Sequence, residues 1–337
     1  MAHRYEGMRT MQLAGGRSML SVVLPNYNHA RLLPQSLGAL LSQTCPPDEL
    51  IIVDDASTDD SVAVIIRLIA GCPYARLIRN TENCGALVSG QRGIVEARGD
   101  LLYFAASDDE VSPRLFEVAR DLLGAWPQAA FFSSASAIID EEGRPLPPQA
   151  VVQPLNQPGY VAPELVARVL MRHDSWFMGN TAIYRRALLE RAGGFPVSLG
   201  AYTDGYMMRY LALKHGVCYS PEMLGCCRVS NGSLSWAATS DLARARSLIA
   251  AAAACIAAHP EVFPAGYLQR WNRRCLFAAY ALNASTRFPG GGLPTRLFRM
   301  LYKIALFVVM RPGDIPSVVM RHFARWCRCR NDGVDDR

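Results

Sequence analysis

The sequence lacks a long hydrophobic run. No stretch of about 18 consecutive apolar residues occurs, and residues 1–16 contain no apolar segment of the kind found in signal peptides. We therefore expect a chain that neither spans a membrane by the usual criterion nor is secreted. Its 50% apolar residues against 19% charged residues are nevertheless high for a free cytosolic protein. This balance favours a cytoplasmic protein that contacts the inner face of the cytoplasmic membrane.

Signatures of structural zinc and of disulfide frameworks are also missing. The ten cysteines are scattered along 337 residues, and no Cys-x-x-Cys pair occurs. The spacings of Cys226-Cys227 and of Cys327-Arg328-Cys329 do not suit a zinc knuckle. In a large chain without a secretion signal, this distribution indicates reduced thiols.

A glycine-rich phosphate-binding loop is absent as well. The first predicted strand is followed by Pro25-Asn26-Tyr27-Asn28, without Gly-x-Gly-x-x-Gly or the P-loop pattern. Dinucleotide oxidoreductases and P-loop enzymes are therefore disfavoured. A sheet without such a loop needs another way to neutralise a diphosphate, and a divalent metal held by carboxylates provides one.

Positive charge is concentrated near the C-terminus. Residues 293–330 carry eight basic residues and one acidic residue, a net charge of +7, whereas the whole chain has a formal charge of +6. The rest of the chain is close to neutral and shows no signature of nucleic-acid binding. Residues 293–310 predict a basic amphipathic helix for peripheral membrane contact. Packing of its apolar stripe on the protein or on a second subunit is the other interpretation.

The first hundred residues alternate between apolar strands and segments with apolar residues at helical spacing. Such alternation with short loops predicts an α/β fold, with a mostly parallel sheet flanked by helices. The predicted strands lie at residues 18–24, 50–53, 75–79 and 101–106.

Three of these strands end in polar clusters, which are Asn26-Tyr27-Asn28, Asp54-Asp55 and Asp108-Asp109. The carboxyl ends of parallel strands meet at one edge of a sheet, where ligands bind. Neighbouring carboxylates after a buried strand are unfavourable unless they hold a cation or a polyol. We interpret Asp108 and Asp109 as a metal and nucleotide site. A solvated acidic turn that caps the next helix is the alternative.

Five segments, in order, resemble the motifs of family 2 glycosyltransferases with the GT-A (Rossmann-like) fold. The resemblance covers roughly residues 18–230. It implies a metal-dependent inverting transferase that moves a sugar from a UDP-sugar to a hydroxyl of a lipid-linked or polysaccharide acceptor, as in cell-envelope or O-antigen biosynthesis. The segments are SVVLPNYN (21–28), SQT (42–44), IIVDDASTD (51–59), ASDD (106–109) and AGGF (192–195) followed by YTDG (202–205).

The resemblance implies a nucleotide-binding role for the first two polar clusters. Tyr27 is expected to stack on the base, Pro25 to belong to the same nucleotide site, and Asp55 to accept the ring N–H hydrogen bond that favours uracil. Asp54 is expected to be a structural partner within its loop. Half-buried packing of Tyr27 and a helix-capping role of Asp55 are the alternatives.

The third cluster is expected to hold the diphosphate. By the resemblance, Asp108 reaches the ribose or the diphosphate, and Asp109 coordinates Mg²⁺ or Mn²⁺. Many family members have an acid where this chain has Ala106, so water or Glu110 is expected to fill that place.

The acceptor half is expected to contribute the catalytic base. Asp204 matches the acid that removes the acceptor proton in an inverting transfer, although Thr203 replaces the usual preceding Glu. A structural Asp at a helix start is the alternative. Trp176 and Asn180 are acceptor-side candidates, with core packing as the other interpretation of Trp176.

These expectations divide the chain into four parts. They are an N-terminal tail (1–17), the nucleotide-binding half (18–110) and acceptor half (111–235) of a GT-A catalytic domain (18–235), and a helical basic C-terminal region (236–337). Two other functions stay open, because Ala106 and Thr203 depart from the family. One is a catalytically impaired nucleotide-sugar-binding scaffold, and the other is a nucleotidyltransferase.

Overall fold

The computed structural model of the protein describes residues 17–146, 152–173, 176–229 and 241–287. The predicted amphipathic helix at 293–310 and most of the predicted N-terminal tail lie outside these residues. Within the described ranges, no helix has the combined length and apolar character needed to span a membrane.

Nine strands and nine α-helices make up the described fold. The strands are β1 (Leu20–Asn26), β2 (Glu49–Asp54), β3 (Ala75–Arg79), β4 (Leu101–Phe104), β5 (Glu110–Val111), β6 (Phe131–Ile139), β7 (Gly159–Val161), β8 (Ile183–Arg185) and β9 (Val217–Arg228). The α-helices are α1 (Leu33–Leu41), α2 (Ser61–Leu68), α3 (Ala86–Glu96), α4 (Leu115–Ala125), α5 (Pro163–Arg172), α6 (Arg186–Arg191), α7 (Thr203–His215), α8 (Leu242–Ala257) and α9 (Tyr267–Arg287). Two 3₁₀ turns span Gly179–Thr181 and Val197–Tyr202.

The strands form one mixed sheet in the order β3-β2-β1-β4-β8-β6-β9-β5, with β7 paired to β9. β1 pairs in parallel with β2 and β4, and β2 pairs in parallel with β3. β8 is antiparallel to both β4 and β6. The predicted α/β fold with a mixed, mostly parallel sheet flanked by helices is therefore confirmed.

Helices cover both faces of the parallel half of the sheet, which is why its strands read as continuous apolar runs. In β1, Leu20, Val22 and Leu24 face the apolar core under α1, α2 and α4. Val23 faces the opposite core, to which the acceptor half and the C-terminal helices contribute. Since consecutive side chains of a strand point to opposite faces, one short strand supplies both cores.

The C-terminal helices pack on the same core as the acceptor half. α8 begins where the Asp241 carboxylate accepts a hydrogen bond from Arg244 N (2.9 Å), as an N-cap does. Its small alanine side chains allow close approach to neighbouring segments. α9 contributes Trp271, which is 3% exposed and meets Tyr202 edge to face, with 5.8 Å between ring centroids. α9 therefore supports the segment that immediately precedes α7.

We predict that Trp271→Ala lowers the free energy of unfolding by about 3–5 kcal/mol, because it removes a large buried side chain and leaves a cavity. Equilibrium urea unfolding measures this change. Val95→Ala is the control, since Val95 is 76% exposed and its truncation should alter stability by less than about 0.5 kcal/mol. Equal stability of the Trp271→Ala and wild-type proteins would contradict the packing of α9 in the hydrophobic core that it shares with α7.

Candidate functional site

The three polar clusters leave the sheet at the same edge. Asn26 is paired with Asp54 in the β1–β2 register, and Asp55 N donates to Asn26 O at 2.8 Å. On the other side of β1, Ala105 N donates to Val23 O at 2.9 Å, so the chain after β4 emerges beside them. The convergence expected from the strand order is therefore present.

Side-chain contacts fasten the segment around Tyr27 to the acidic segment. His29 Nδ1 lies 2.6 Å from Ser107 Oγ, and the Ser36 hydroxyl donates to Ser107 O at 2.8 Å. Ser107 directly precedes Asp108, and Tyr27 is two residues before His29. The Tyr27 side chain is 41% exposed, so its ring is accessible to a flat ligand such as a base.

Asp54 is committed to its own loop. Its carboxylate accepts hydrogen bonds from Asn26 Nδ2 (2.9 Å), Ser57 N (3.0 Å) and Ser57 Oγ (2.6 Å). The residue is 1% exposed. These contacts match the structural role expected for Asp54, since its oxygens stabilise the turn after β2.

Asp55 organises the loop that follows β3. Its oxygens accept hydrogen bonds from Asn80 Nδ2 (2.7 Å), Cys84 N (2.9 Å) and Gly85 N (2.7 Å). Burial acts to raise the pKa of Asp55, but the hydrogen bonds from Cys84, Asn80, Ser89 and Gly85 together hold this pKa below its ordinary value. Asp55 is thus an ionised acceptor whose position is set by the 80–85 loop.

An open cavity of about 220 Å³ lies beside this loop. Asn80 and Cys84 line it and also hold Asp55, whereas its lining includes neither Tyr27 nor Asp109. The complete lining is Asn80, Thr81, Glu82, Cys84, Val88 and Arg92.

Asp109 is a half-buried carboxylate held by the end of β9. Its Oδ1 accepts a hydrogen bond from Arg228 N at 2.8 Å, and the Cys227 thiol also bonds to it. Burial first, and then the charge of Asp108, raise the pKa of Asp109 to about 7 despite the opposing effect of Arg228. Because the negative charges of Asp108 and Asp109 repel each other, the pair suits a divalent cation.

The neighbouring positions 106 and 110 provide few free oxygens for a metal. Ala106 has no side-chain oxygen, and Glu110 is already in an ion pair with Arg228 (2.9 Å). Within the described part of the chain, no group of three or more His, Cys, Asp or Glu side chains is arranged to hold a metal. The residues fit a hard cation that takes one or two carboxylates from the protein and its remaining ligands from phosphates and water, which is a common arrangement for Mg²⁺.

Asp204 lies in the first turn of α7, where its side chain reaches solvent. Desolvation by the surrounding protein raises the pKa of Asp204, while a hydrogen bond from Gly205 N (2.6 Å) and the charge of Arg209 lower this pKa. A Cβ at Gly179 would lie 2.7 Å from Asp204 Oδ2, so this carboxylate occupies space that only glycine leaves free.

The turn Gly179–Thr181 connects the two acidic sites. Asn180 O accepts a hydrogen bond from Tyr103 OH (2.6 Å), and Asn180 Nδ2 donates to Ser136 Oγ (2.9 Å). Burial, and next the charge of Asp109, raise the pKa of Tyr103. Gly179, at the start of the same turn, contacts Asp204. Both acids therefore lie near this turn, Asp109 by way of Tyr103 and Asp204 by way of Gly179.

Trp176 lies in the core and not on an acceptor-facing wall. Its indole is fully buried and packs against Phe177 (4.0 Å between ring centroids) and Tyr219 (5.8 Å). A carbohydrate cannot stack on a ring with no exposed surface, so we do not include Trp176 in the site. Asn180 stays a candidate because it is half-buried and directly follows Gly179, which lies against Asp204.

Sequence analysis missed two residues of the site, Arg228 and Gly179. Arg228 ends a strand that the sequence analysis does not predict, so no local pattern points to it. Gly179 has no local signal either, since its importance comes from the side chain of Asp204, 25 positions later in the sequence.

Comparison with known proteins identifies similar chains. The family model described as "Glycosyl transferase family 2" matches residues 21–193, just over half of the chain. An uncharacterized glycosyltransferase of Nostoc sp. is 26% identical over 239 residues, covering 68% of this chain and 70% of that protein. The uncharacterized glycosyltransferase YibD of Escherichia coli is 38% identical over 98 residues, and this match spans 29% of this chain and 28% of the relative.

Solved structures share the fold at low sequence identity. Staphylococcus aureus TarS in complex with UDP-GlcNAc has a TM-score of 0.61 at 18% identity, covering 88% of this chain and 82% of that one. The mannosyltransferase PcManGT of Pyrobaculum calidifontis, in complex with GDP-Man and Mn²⁺, has a TM-score of 0.54 at 20% identity, covering 92% and 88%.

We predict that Asp109→Asn stabilises the metal-free protein at pH 8. The folded-state pKa of about 7 exceeds the ordinary 3.8, so the ionised carboxylate disfavours the folded state at high pH. This penalty is complete above about pH 7, shrinks as the pH falls, and is lost near pH 4. Thermal unfolding in EDTA at several pH values measures the difference between variant and wild type. A less stable variant at pH 8 would contradict the raised pKa.

Proposed function

The chain belongs to glycosyl transferase family 2, and from that premise we propose that it is a metal-dependent inverting transferase that uses a UDP-sugar donor. The observation that carries the proposal is the arrangement around the turn Gly179–Thr181. Tyr103, which is close enough to Asp109 to be affected by its charge, donates to Asn180 O, and Gly179 lies against the exposed residue Asp204. The transfer needs one carboxylate to hold the metal at the diphosphate and a second carboxylate to accept the proton of the acceptor hydroxyl.

The donor nucleotide binds at the shared sheet edge. Tyr27, next to Pro25, offers an exposed ring for base stacking. Asp55 is ionised and can accept the ring N–H of uracil in addition to the loop hydrogen bonds it already accepts. Asp108 faces the ribose or the diphosphate. UDP and UDP-GlcNAc complexes of TarS, which shares the fold, support a uridine nucleotide.

Asp109, with Asp108 beside it, is the residue that would hold Mg²⁺ or Mn²⁺. The bound cation supplies positive charge to the diphosphate as it leaves. Asp109 must be ionised to serve as a ligand, and its raised pKa means that the cation also relieves an unfavourable buried charge. Mn²⁺ in the PcManGT complex supports this assignment.

Asp204 acts as the general base. Its carboxylate takes the proton of the acceptor hydroxyl while that oxygen attacks the anomeric carbon and the bond to the diphosphate breaks on the opposite face. A pKa above the ordinary value makes Asp204 a stronger base, while the hydrogen bond from Gly205 N and the charge of Arg209 act to lower that pKa. The result is transfer with inversion at the anomeric carbon.

The acceptor is a lipid-linked or polysaccharide hydroxyl at the cytoplasmic face of the membrane. The basic, amphipathic character of residues 293–330 supports this location. In this proposal, residues 18–235 form the catalytic domain, and α8 and α9 support α7 from outside that range.

A catalytically impaired scaffold is the second candidate, because two family acids are replaced. Ala106 offers no ligand atom, and the Thr203 hydroxyl donates to Pro196 O (2.5 Å) within a buried turn, so it cannot take the place of a carboxylate. Measured sugar transfer by the wild-type protein rejects the scaffold. A nucleotidyltransferase would release pyrophosphate, whereas a sugar transferase releases UDP.

We predict that Asp204→Asn lowers kcat by about 10²–10⁴-fold, since it removes the proton acceptor but preserves the side-chain shape. UDP release in the presence of Mn²⁺ and a panel of UDP-sugars measures activity, and isothermal titration calorimetry measures UDP affinity, which should match that of the wild type. Full activity of the variant would reject Asp204 as the base, and loss of UDP binding would place it in the donor site instead.

We also predict that Gly179→Ala lowers kcat by up to about 100-fold. The added Cβ would lie 2.7 Å from Asp204 Oδ2, so the carboxylate must move from its position. The KM for the donor should stay within about two-fold of the wild type. Gly38→Ala is the matched control, since a Cβ at that position meets no atom within 4 Å. Unchanged kcat in Gly179→Ala would show that the base tolerates displacement.

A further inference from the structure

Arg228 contacts three consecutive acidic residues, although it lies more than a hundred positions after them. Its backbone N donates to Asp109 Oδ1 (2.8 Å), and its Nε donates to Asp108 O (2.9 Å). Its Nη2 donates to Glu110 Oε1 (2.9 Å) in an ion pair. One residue therefore fixes the backbone of the acidic segment, the Asp109 carboxylate and the side chain that follows it.

The same guanidinium also binds the end of β6. Nη1 donates to Asp140 O (3.1 Å) and to Glu141 O (3.2 Å). The turn that contains these carbonyls is closed by Arg144, whose Nε donates to Asp140 Oδ2 at 2.7 Å. Arg228 thus ties the acidic segment to a second, independently closed turn.

This arrangement uses the planar shape of arginine. The guanidinium makes four hydrogen bonds, one from Nε, two from Nη1 and one from Nη2. The side chain is only 5% exposed. Lysine has a compact ammonium with three donors and cannot reproduce a planar fork. Burying such a charge is unfavourable unless it is paired and hydrogen-bonded. An arginine is therefore a costly choice for a position that needs only a side chain to fill space.

We propose that Arg228 is a positioning residue for the metal ligand Asp109. It holds the carboxylate by its backbone N–H and holds the segment 108–110 rigid by its guanidinium, so that Asp109 meets a divalent cation and a nucleoside diphosphate in one orientation. Residues that hold a metal ligand in this way typically contribute about 10–100-fold to metal affinity. The inference rests on the proposed function, because it takes Asp109 as the metal ligand.

A second arginine of similar form serves as the matched control. Arg185 donates from Nε to Ala129 O (2.9 Å) and from Nη2 to Trp126 O (3.4 Å) and Leu123 O. It pairs with Leu101, at the start of β4 and therefore at the opposite edge of the sheet from Asp109. Arg185→Lys removes a comparable carbonyl-binding fork without touching the acidic segment.

The test is titration of the full-length protein with Mn²⁺, alone and with UDP, followed by electron paramagnetic resonance, together with thermal unfolding of each variant. Arg228→Lys should weaken Mn²⁺ binding in the presence of UDP by about 10–100-fold and alter the spectrum of the bound ion. Glu110→Gln should cause a smaller loss in the same direction. Arg185→Lys should lower the melting temperature and leave Mn²⁺ affinity unchanged.

Asp109→Asn separates failure of this inference from failure of the proposed function. If Asp109→Asn abolishes Mn²⁺ binding but Arg228→Lys binds Mn²⁺ as the wild type does, the positioning role is overturned and the metal assignment stands. If Asp109→Asn binds Mn²⁺ as the wild type does, the metal assignment itself is wrong. If Arg228→Lys does not fold, Glu110→Gln decides, and wild-type affinity in that variant overturns the positioning role.

Discussion

Carboxylates gathered at the edge of an apolar sheet must be stabilised by donors or cations, and this constraint shapes the whole site. The protein meets it differently at each strand end. Asp54 takes hydrogen bonds from Asn26 and Ser57, and Asp55 takes them from the loop after β3. At Asp109 the donors are too few to offset burial and the neighbouring acid, so its pKa stays high. Among these three carboxylates, the one left with a raised pKa, Asp109, is the one suited to a metal.

The position of Asp204 depends on packing more than on charge. Asp204 sits at the start of α7, and the preceding segment rests against Trp271 of α9. On the other side, Gly179 provides the space for the carboxylate. The position of Asp204, the proposed base, therefore depends on residues that extend well beyond the segment matched by the family model, which ends at residue 193. The C-terminal helices are consequently part of the structural support of the site.

The departures from the family pattern have local structural consequences. Thr203 directs its hydroxyl to Pro196 O and stabilises the turn before α7, which a longer acidic side chain would not do in the same way. Glu110, which together with water is a candidate for the place left by Ala106, is paired with Arg228. The Glu110 carboxylate is therefore used in an ion pair, and Arg228 attaches the acidic segment to the ends of β6 and β9.

The sequence by itself determined the α/β fold, the alternation of strands and helices in the first half, and the position of three polar clusters at the ends of strands that share one edge of a parallel sheet. These features follow from local periodicity and from the rule that parallel strands end on the same side of a sheet. Burial of Trp176, the space at Gly179 and the contacts of Arg228 were decided only by the tertiary structure. Arg228 and Asp109 are 119 positions apart, and no local pattern encodes a contact between residues that meet only when β9 pairs beside the acidic segment.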